Sequence, residues 1–466
     1  MRLKFFPPLR LCVKSIFLLI VLSGCMMGPN YHRPCLDIPD TFYESEGGSE
    51  GILDRSWWED FEEPVLDDMI AEALINNKNL KIAAGNIETA AGIFMQARAP
   101  LFPQWGYGGS YTRLKQSQLN ATPAVPPNPQ SNWQLNENLS WELDVWGRVR
   151  RLTESAQASF FATIEARENV ILSLIASVAN GYLQLLGLDA QLIVTKETQT
   201  SYENALKYFE LQYEHGQVSY MTVAQAKVQY EIATASIPQI ELQIAQAEHA
   251  LSVLLGRNPG PIVRGKPIYK LKMPEIPAEL PSSLLERRPD ILQAEQNLVA
   301  ANAQIGAAKA LYFPAINLTG AYGVSSQNLS DLFKGPARTW NYTGSITGPI
   351  FTWGLIEGQV EEAEGQTMAA LYNYELVIQK AFKEVEDALI AHTKLEEKFA
   401  AQQKLVEASR EYVYLSKLQY DGGYSPYFVV LQAEQQLFPS ELSWIQTRVA
   451  LFSSCVDIYQ SMGGGL

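Results

Sequence analysis

Few side chains in this 466-residue chain stand where they could do chemistry. Its four histidines, His32, His215, His249 and His392, are scattered and form no metal-ligand cluster by spacing. No Ser/His/Asp or paired-carboxylate arrangement can be singled out, which speaks against a hydrolase and for a protein that is not an enzyme. There is no nucleotide-binding loop. Four cysteines, Cys12, Cys25, Cys35 and Cys455, are too few for a disulfide framework. Nothing pairs Cys35 with Cys455, so buried or solitary thiols are the simpler expectation. The one nucleophile in a telling context is Cys25. Its thiol follows Leu22-Ser23-Gly24, small residues of the kind a processing peptidase accepts.

The residues before it fit that reading. Arg2, Lys4, Arg10 and Lys14 precede the apolar run Ser15 to Leu22, and no acid occurs. A basic stretch followed by a short apolar one is an export signal rather than a membrane span. Leu22-Ser23-Gly24-Cys25 resembles the bacterial lipobox, which predicts removal of residues 1–24 and a diacylglycerol and N-acyl lipid on Cys25. Residue 26 is Met and not the Asp that retains many lipoproteins at the inner membrane, so the outer membrane is the expected destination. Without residues 1–24 the chain keeps 32 basic against 50 acidic residues, a net −18. An acidic chain lacks the basic surface that neutralises phosphates, which argues against nucleic acid.

What would such an anchor hold? Composition is 47% hydrophobic and 18% charged, without the several clean apolar runs of about 20 residues that a polytopic helical membrane protein needs. The larger signal is internal repetition. Phe102-Pro103 matches Phe313-Pro314 at an offset of 211. Trp146-Gly147 matches Trp353-Gly354, Gly216 matches Gly423 and Gln225-Ala226 matches Gln432-Ala433, all at 207. The chain is a tandem duplication: repeat one over 64–257, a proline-rich connector over 258–283 read as extended and not helical, and repeat two over 284–466. An acylated N-terminal segment, 25–63, precedes them.

Each copy has one order of elements: a helix, a Phe-Pro break, two alternating segments and a long stretch without proline. From Gly147 to about Glu214 the spacing predicts one helix of about 100 Å, too long for a compact domain and suited to a barrel of helices. Val170 to Leu188 carries no charge and is nominally long enough to span a bilayer. Its copy-two counterpart holds Lys380, Lys383, Glu384, Glu386 and Asp387, so a helix packed against helices is expected. Gly216 and Gly423 mark the places where the chain reverses.

The alternating segments, about 104–115, 132–146, 315–326 and 339–351, carry aromatic and aliphatic residues on one face. These are Trp105, Tyr107 and Tyr111, then Trp133, Leu135, Leu139 and Trp141, then Ile316, Leu318 and Tyr322, then Trp340, Tyr342 and Ile346. Gln, Asn, Ser, Thr and Gly, with Glu142 and Asp144 of the second segment, fill the other face. Lengths of 9–14 residues suit tilted strands across a bilayer. In lipid the strands must close, and small barrels need about eight of them. Four per chain therefore require oligomerisation, with two chains for eight or three for twelve. The interior would be polar, and the proline-bearing loop 116–131 would lie outside the cell.

Several motifs in this order resemble one family, the TolC-like outer-membrane factors, in particular the lipoprotein branch serving resistance-nodulation-division efflux pumps. They are Gly28-Pro29-Asn30-Tyr31-His32-Arg33-Pro34, Trp57-Trp58 with Phe61, Trp141 to Arg148, Leu254 to Gly260 and Arg287-Arg288-Pro289-Asp290-Ile291. The resemblance covers essentially the whole chain after residue 24. It implies an α+β membrane protein: a homotrimer with one twelve-stranded outer-membrane barrel, a long periplasmic α-helical barrel and a mixed equatorial domain. It also implies a passive exit duct for small amphiphilic compounds, docked to a periplasmic adaptor protein and an inner-membrane transporter. Metal-ion efflux and type I protein secretion are alternatives within that class, and a lipid-anchored envelope scaffold or adhesin lies outside it. The resemblance places the aperture at the two helical tips, with Glu214, Gly216 and Thr222 in copy one and Asp421, Gly423 and Gln432 in copy two. Where the family commonly has Asp after the second tip, this chain has Val429 and Gln432. A carboxylate ring would instead draw on Asp421 and Glu214.

Overall fold

The computed structural model describes residues 26–35, 56–115, 117, 129–274 and 281–464. The chain divides into two compact units, the first from 1–35, 86–164 and 293–375, the second from 36–85, 165–292 and 376–466.

The first unit is built around a four-stranded antiparallel sheet: β1 Gln104–Leu114, β2 Gln130–Leu143, β3 Ala315–Ser326 and β4 Arg338–Thr347. The strands lie in sequence order. Registers such as Tyr111↔Trp133, Leu139↔Gly320 and Gly320↔Tyr342 keep the period-two faces in step across all four. Two strands stop short of their sequence-expected ends. β2 ends at Leu143 because Asp144, read as the polar face of a strand, turns to cap the next helix. Its carboxylate accepts hydrogen bonds from the backbone N–H groups of Val149, at 3.0 Å, and Arg150, at 2.9 Å. β4 ends at Thr347, just before Gly348-Pro349, where proline offers no donor to a ladder.

Among the described residues the helices are α1 Pro64–Asn76, α2 Lys78–Arg98, α3 Arg148–Glu214, α4 Tyr220–Leu254, α5 Pro281–Arg287, α6 Pro289–Ala310, α7 Leu355–Asp421 and α8 Tyr427–Ser461. The duplication is exact to the residue in length: α3 and α7 have 67 residues each, α4 and α8 have 35 each. All four end in the same left-handed cap. At α3, Gly216 N–H bonds Tyr213 O at 2.9 Å and Gln217 N–H bonds Gln212 O at 2.8 Å. Gly423-Tyr424, Gly256-Arg257 and Gly463-Gly464 repeat that pair of bonds after α7, α4 and α8.

In the second unit the long helices bury one apolar core. Leu174, Val178, Tyr182 and Leu186 of α3 pack with Leu251 of α4, Val385 of α7, and Phe452 and Val456 of α8. The chargeless stretch 170–188 is thus a buried helix face, the packed reading and not the spanning one. Trp57 stacks on Tyr459 with centroids 5.1 Å apart, and Phe61 is fully buried, so the Trp-Trp-x-x-Phe motif is a plug of this core. The connector is not wholly extended. Ile268–Lys270 forms a 3-10 turn, and residues expected to be non-helical open α5 at Pro281. Proline at the first helical position forfeits only an N–H that has no helical partner anyway. Pro238 and Pro439 lie inside α4 and α8, which run on past them.

Candidate functional site

The sheet presents two chemically distinct faces. One row carries Trp105, Tyr107, Tyr111, Trp133, Leu135, Leu139, Trp141, Ile316, Leu318, Tyr322, Trp340, Tyr342 and Ile346. The opposite row carries Gln104, Ser110, Asn132, Gln134, Asn136, Asn138, Asn317, Thr319, Asn341 and Thr343. Polar pairs such as Ser325 Oγ to Asn132 Oδ1, at 2.8 Å, bridge the second face. Such a surface is wetted on one side and apolar on the other, the profile of a membrane barrel wall. The alternation hid one residue. Glu137 lies in the apolar row, directly opposite Tyr107 and Tyr322.

Among the described residues, both outer edges, of β1 and of β4, are unpaired. The two copies also differ at the foot of the sheet. Trp146 of copy one donates its indole N–H to Pro314 O at 2.9 Å and stacks on Phe313, centroids 4.6 Å apart. Copy one's Trp-Gly thus sits on copy two's Phe-Pro. Its counterpart Trp353 is 90% exposed, and Phe102, counterpart of Phe313, is 56% exposed. Half of a repeated contact is satisfied within the chain, and its other half is open at the two edges.

Beside this junction the Gly-Pro-Asn-Tyr-His-Arg-Pro segment is clamped. Arg151 of α3, fully buried, gives Nε to Met27 O at 3.0 Å, Nη2 to Gly28 O at 3.3 Å and to Asn30 Oδ1 at 2.8 Å, and Nη1 to Glu154 at 2.8 Å. Glu295 of α6 accepts from Tyr31 Oη at 3.0 Å and Arg33 Nε at 2.7 Å, and pairs with Arg33 Nη2. Burial pushes the Glu295 carboxyl up, but the Arg33 and Tyr31 hydrogen bonds outweigh it and hold the group below the usual carboxylate range. A side chain at Gly306 would meet Met27 O at 2.4 Å and the Arg151 side chain at 2.7–2.8 Å, so the segment needs glycine there. Met27 N–H bonds Trp146 O at 3.1 Å. Cys25 itself lies outside the described residues. Arg151 drew no notice in the sequence, being one of three arginines within four residues.

In the second unit the structure places the aperture candidates on two helix-turn-helix tips. Glu214 and Asp421 are the exposed last residues of α3 and α7; Gly216 (φ 72°) and Gly423 (φ 74°) are the turn glycines. Thr222, half-buried, lies in the first turn of α4, and Gln432, exposed, in the second turn of α8. Aromatic rings tie the tips together. Phe209 contacts Tyr427, centroids 4.1 Å apart, and Tyr420 lies 5.6 Å from Tyr427. Burial raises the Tyr427 hydroxyl well above its usual range and raises the Tyr420 hydroxyl as well, keeping both neutral. A residue that sequence reading passed over, Glu434, is buried two positions beyond Gln432 and pairs with Lys417 at 2.7 Å.

The Arg-Arg-Pro-Asp motif is also explained. Arg288 gives Nη1 to Ser461 O at 2.8 Å and pairs with Asp290 at 2.7 Å and Glu384 at 2.6 Å, joining α6, α7 and α8.

A two-faced sheet with open edges, on a duplicated chain of very long helices with capped tips, defines an outer-membrane duct whose wall is shared among chains. The chain belongs to the outer membrane efflux protein family, whose profile matches residues 69–257 and 280–464, one stretch in each copy. It is 33% identical over 453 residues to the probable efflux pump outer membrane protein TtgC of Pseudomonas putida KT2440, covering 96% of this chain and 93% of that one. It is 31% identical over 452 residues to the cation efflux system protein CusC of Escherichia coli, covering 96% and 97%. Among solved structures it is similar to the outer-membrane channel OprN, with TM-score 0.88, 27% identity and 95% and 99% coverage. It is thus an outer-membrane efflux duct that extends into the periplasm.

Proposed function

We propose that three copies of this chain form a passive exit duct through which a tripartite pump releases small amphiphilic compounds. A periplasmic adaptor docks at the tips, and an energised inner-membrane transporter supplies direction. The duct performs no covalent chemistry of its own. The observation that carries this reading is the half-satisfied repeat contact. If Trp353 sits on the next chain's Phe102-Pro103 as Trp146 sits on Phe313-Pro314, each β4 pairs with a neighbour's β1 and the ring closes. Shifting the β2–β3 register by the repeat offsets of 207 and 211 sets Ile346 opposite Gly109 of the neighbour. Three chains then make a twelve-stranded barrel with the Asn/Ser/Thr face inward, leaving a wet pore. Cys25 carries the lipid, held beside the sheet by the clamp on residues 26–33. The tip residues Glu214, Gly216, Thr222, Asp421, Gly423 and Gln432 line the periplasmic aperture.

The test joins Ile346→Cys and Gly109→Cys in a Cys35→Ser background. Facing strand residues lie about 4.5–5.5 Å apart at Cα, within disulfide range. Oxidation should give covalent species ending at the trimer. No cross-link, or a ladder running beyond three, would overturn the closed ring. Purified trimers should conduct in planar bilayers. Labelling by radioactive fatty acid should vanish in Cys25→Ala; unchanged labelling counts against the anchor.

A further inference from the structure

We propose that Cys455, His392 and Met273 form a buried binding site for a soft monovalent cation, Cu(I) or Ag(I), in the second unit. Three elements bring the ligands together: Cys455 from α8, His392 from α7 and Met273 from the connector between the repeats. Cys455 Sγ lies 3.5 Å from Met273 Sδ and 3.7 Å from His392 Nδ1. With metal–sulfur bonds of about 2.3 Å and metal–nitrogen bonds of about 2.0 Å, those separations correspond to angles of about 100° and about 120° at a shared ion, close to trigonal. Both separations from Cys455 Sγ are those of ligand atoms that share one ion.

Their chemistry selects the ion. A thiolate and a thioether are soft donors that favour Cu(I) over harder cations. The site is enclosed: Cys455 and His392 are buried, and Met273 is half-buried and offers the side of entry. In such surroundings net charge is costly. One thiolate and one monovalent cation sum to zero, whereas a divalent ion would leave an uncompensated charge. Zinc would also lack its fourth ligand. The outer contacts suit the task. His392 Nε2 faces Glu396 Oε1 at 3.5 Å, the arrangement that turns the other ring nitrogen toward a metal. Ser454 Oγ, 2.9 Å from Nδ1, can withdraw because it also bonds Leu451 O at 2.8 Å.

Binding breaks the Cys455 S–H bond, releases the proton to solvent and forms a metal–thiolate bond, and no atom changes oxidation state. Burial pushes the metal-free thiol up to about 12, so the ion must displace a firmly held proton. The histidines and cysteines by themselves give no hint of this site in sequence, since its third donor is a thioether 182 residues away.

The experiment uses the full-length protein in detergent, carrying Cys35→Ser, titrated anaerobically with Cu(I) against a chromophoric Cu(I) chelator. One Cu(I) per chain should be withheld from the chelator, and X-ray absorption should show two sulfurs and one nitrogen at bonding distance. Cys455→Ser should lose the retained ion. Met273→Leu, close in volume, should weaken retention at least tenfold with unchanged thermal unfolding of the metal-free protein, so a folding failure of the Cys455 variant leaves the test intact. Glu396→Gln should weaken it about 10–100-fold. No ion retained beyond Cys455→Ser, or retention indifferent to Met273→Leu and His392→Asn, overturns the site.

Discussion

Gly256 and Gly423 end helices with the same cap and nearly the same φ, 76° and 74°, yet alanine should affect them very differently. At Gly423 a Cβ would meet nothing within 4 Å. The cost there is the left-handed backbone alone, about 1–2 kcal/mol. At Gly256 the same strain applies, but the Cβ would stand 2.3 Å from Asn76 O, 2.5 Å from Asn76 C and 3.0 Å from Asn77 N. These are backbone atoms at the α1–α2 junction, where Asn77 gives Nδ2 to Leu254 O at 2.8 Å and takes Leu80 N–H at 3.1 Å. Relieving the contact means moving that junction, an overpacking cost of about 1–3 kcal/mol, and stretching two hydrogen bonds worth about 1 kcal/mol each. Gly256→Ala should therefore cost about 4–7 kcal/mol in all. Chemical denaturation of the detergent-solubilised trimers, followed by helical circular dichroism, measures both. Gly423→Ala should remain folded at the tip and thereby report on docking and opening, through adaptor cross-linking and export. If the two variants lose equal stability, close backbone approach is not what distinguishes these caps, and the reasoning fails.

Other perturbations test the remaining sites. Arg151→Met leaves Met27 O, Gly28 O and Asn30 without their donor, and hydrogen exchange over residues 26–35 should speed up by roughly tenfold or more, consistent with about 2–3 kcal/mol for lost charged hydrogen bonds; unchanged exchange would remove Arg151 from the clamp. Because the folded Glu295 carboxyl is held low, its contribution is full above the unfolded value near about 4.3 and is lost as pH falls through the folded value. The same exchange measurement should show the clamp loosening only in acid, and Glu295→Gln should abolish that acid step. Glu137→Leu should raise the temperature at which trimers dissociate on gels, since a carboxylate in the apolar row costs somewhat less than the about 2–4 kcal/mol of a mid-bilayer Lys or Arg; a lower temperature would mean that this face is wetted.

The sequence alone carried the periodic and the repeated. Period-two alternation marks β1 to β4, and the 207-residue offset pairs Gly216 with Gly423 because both copies must solve one backbone problem, reversing after a 67-residue helix. Family motifs were legible for the same reason, though not their work: Trp57 and Phe61 plug a core, and Arg288 joins three helices. What tertiary structure decided is wherever residues far apart in sequence meet without periodicity. Asp144 left the strand to cap α3 because unpaired N–H groups at a helix start compete for a carboxylate. Arg151 became the buried clamp of residues 26–30, and Cys455, His392 and Met273 converged from three elements. The duplicated sequence is equivalent at Trp146 and Trp353, yet the structure makes them unequal. A repeat that packs on its successor satisfies one copy inside the chain and leaves the other to a neighbour.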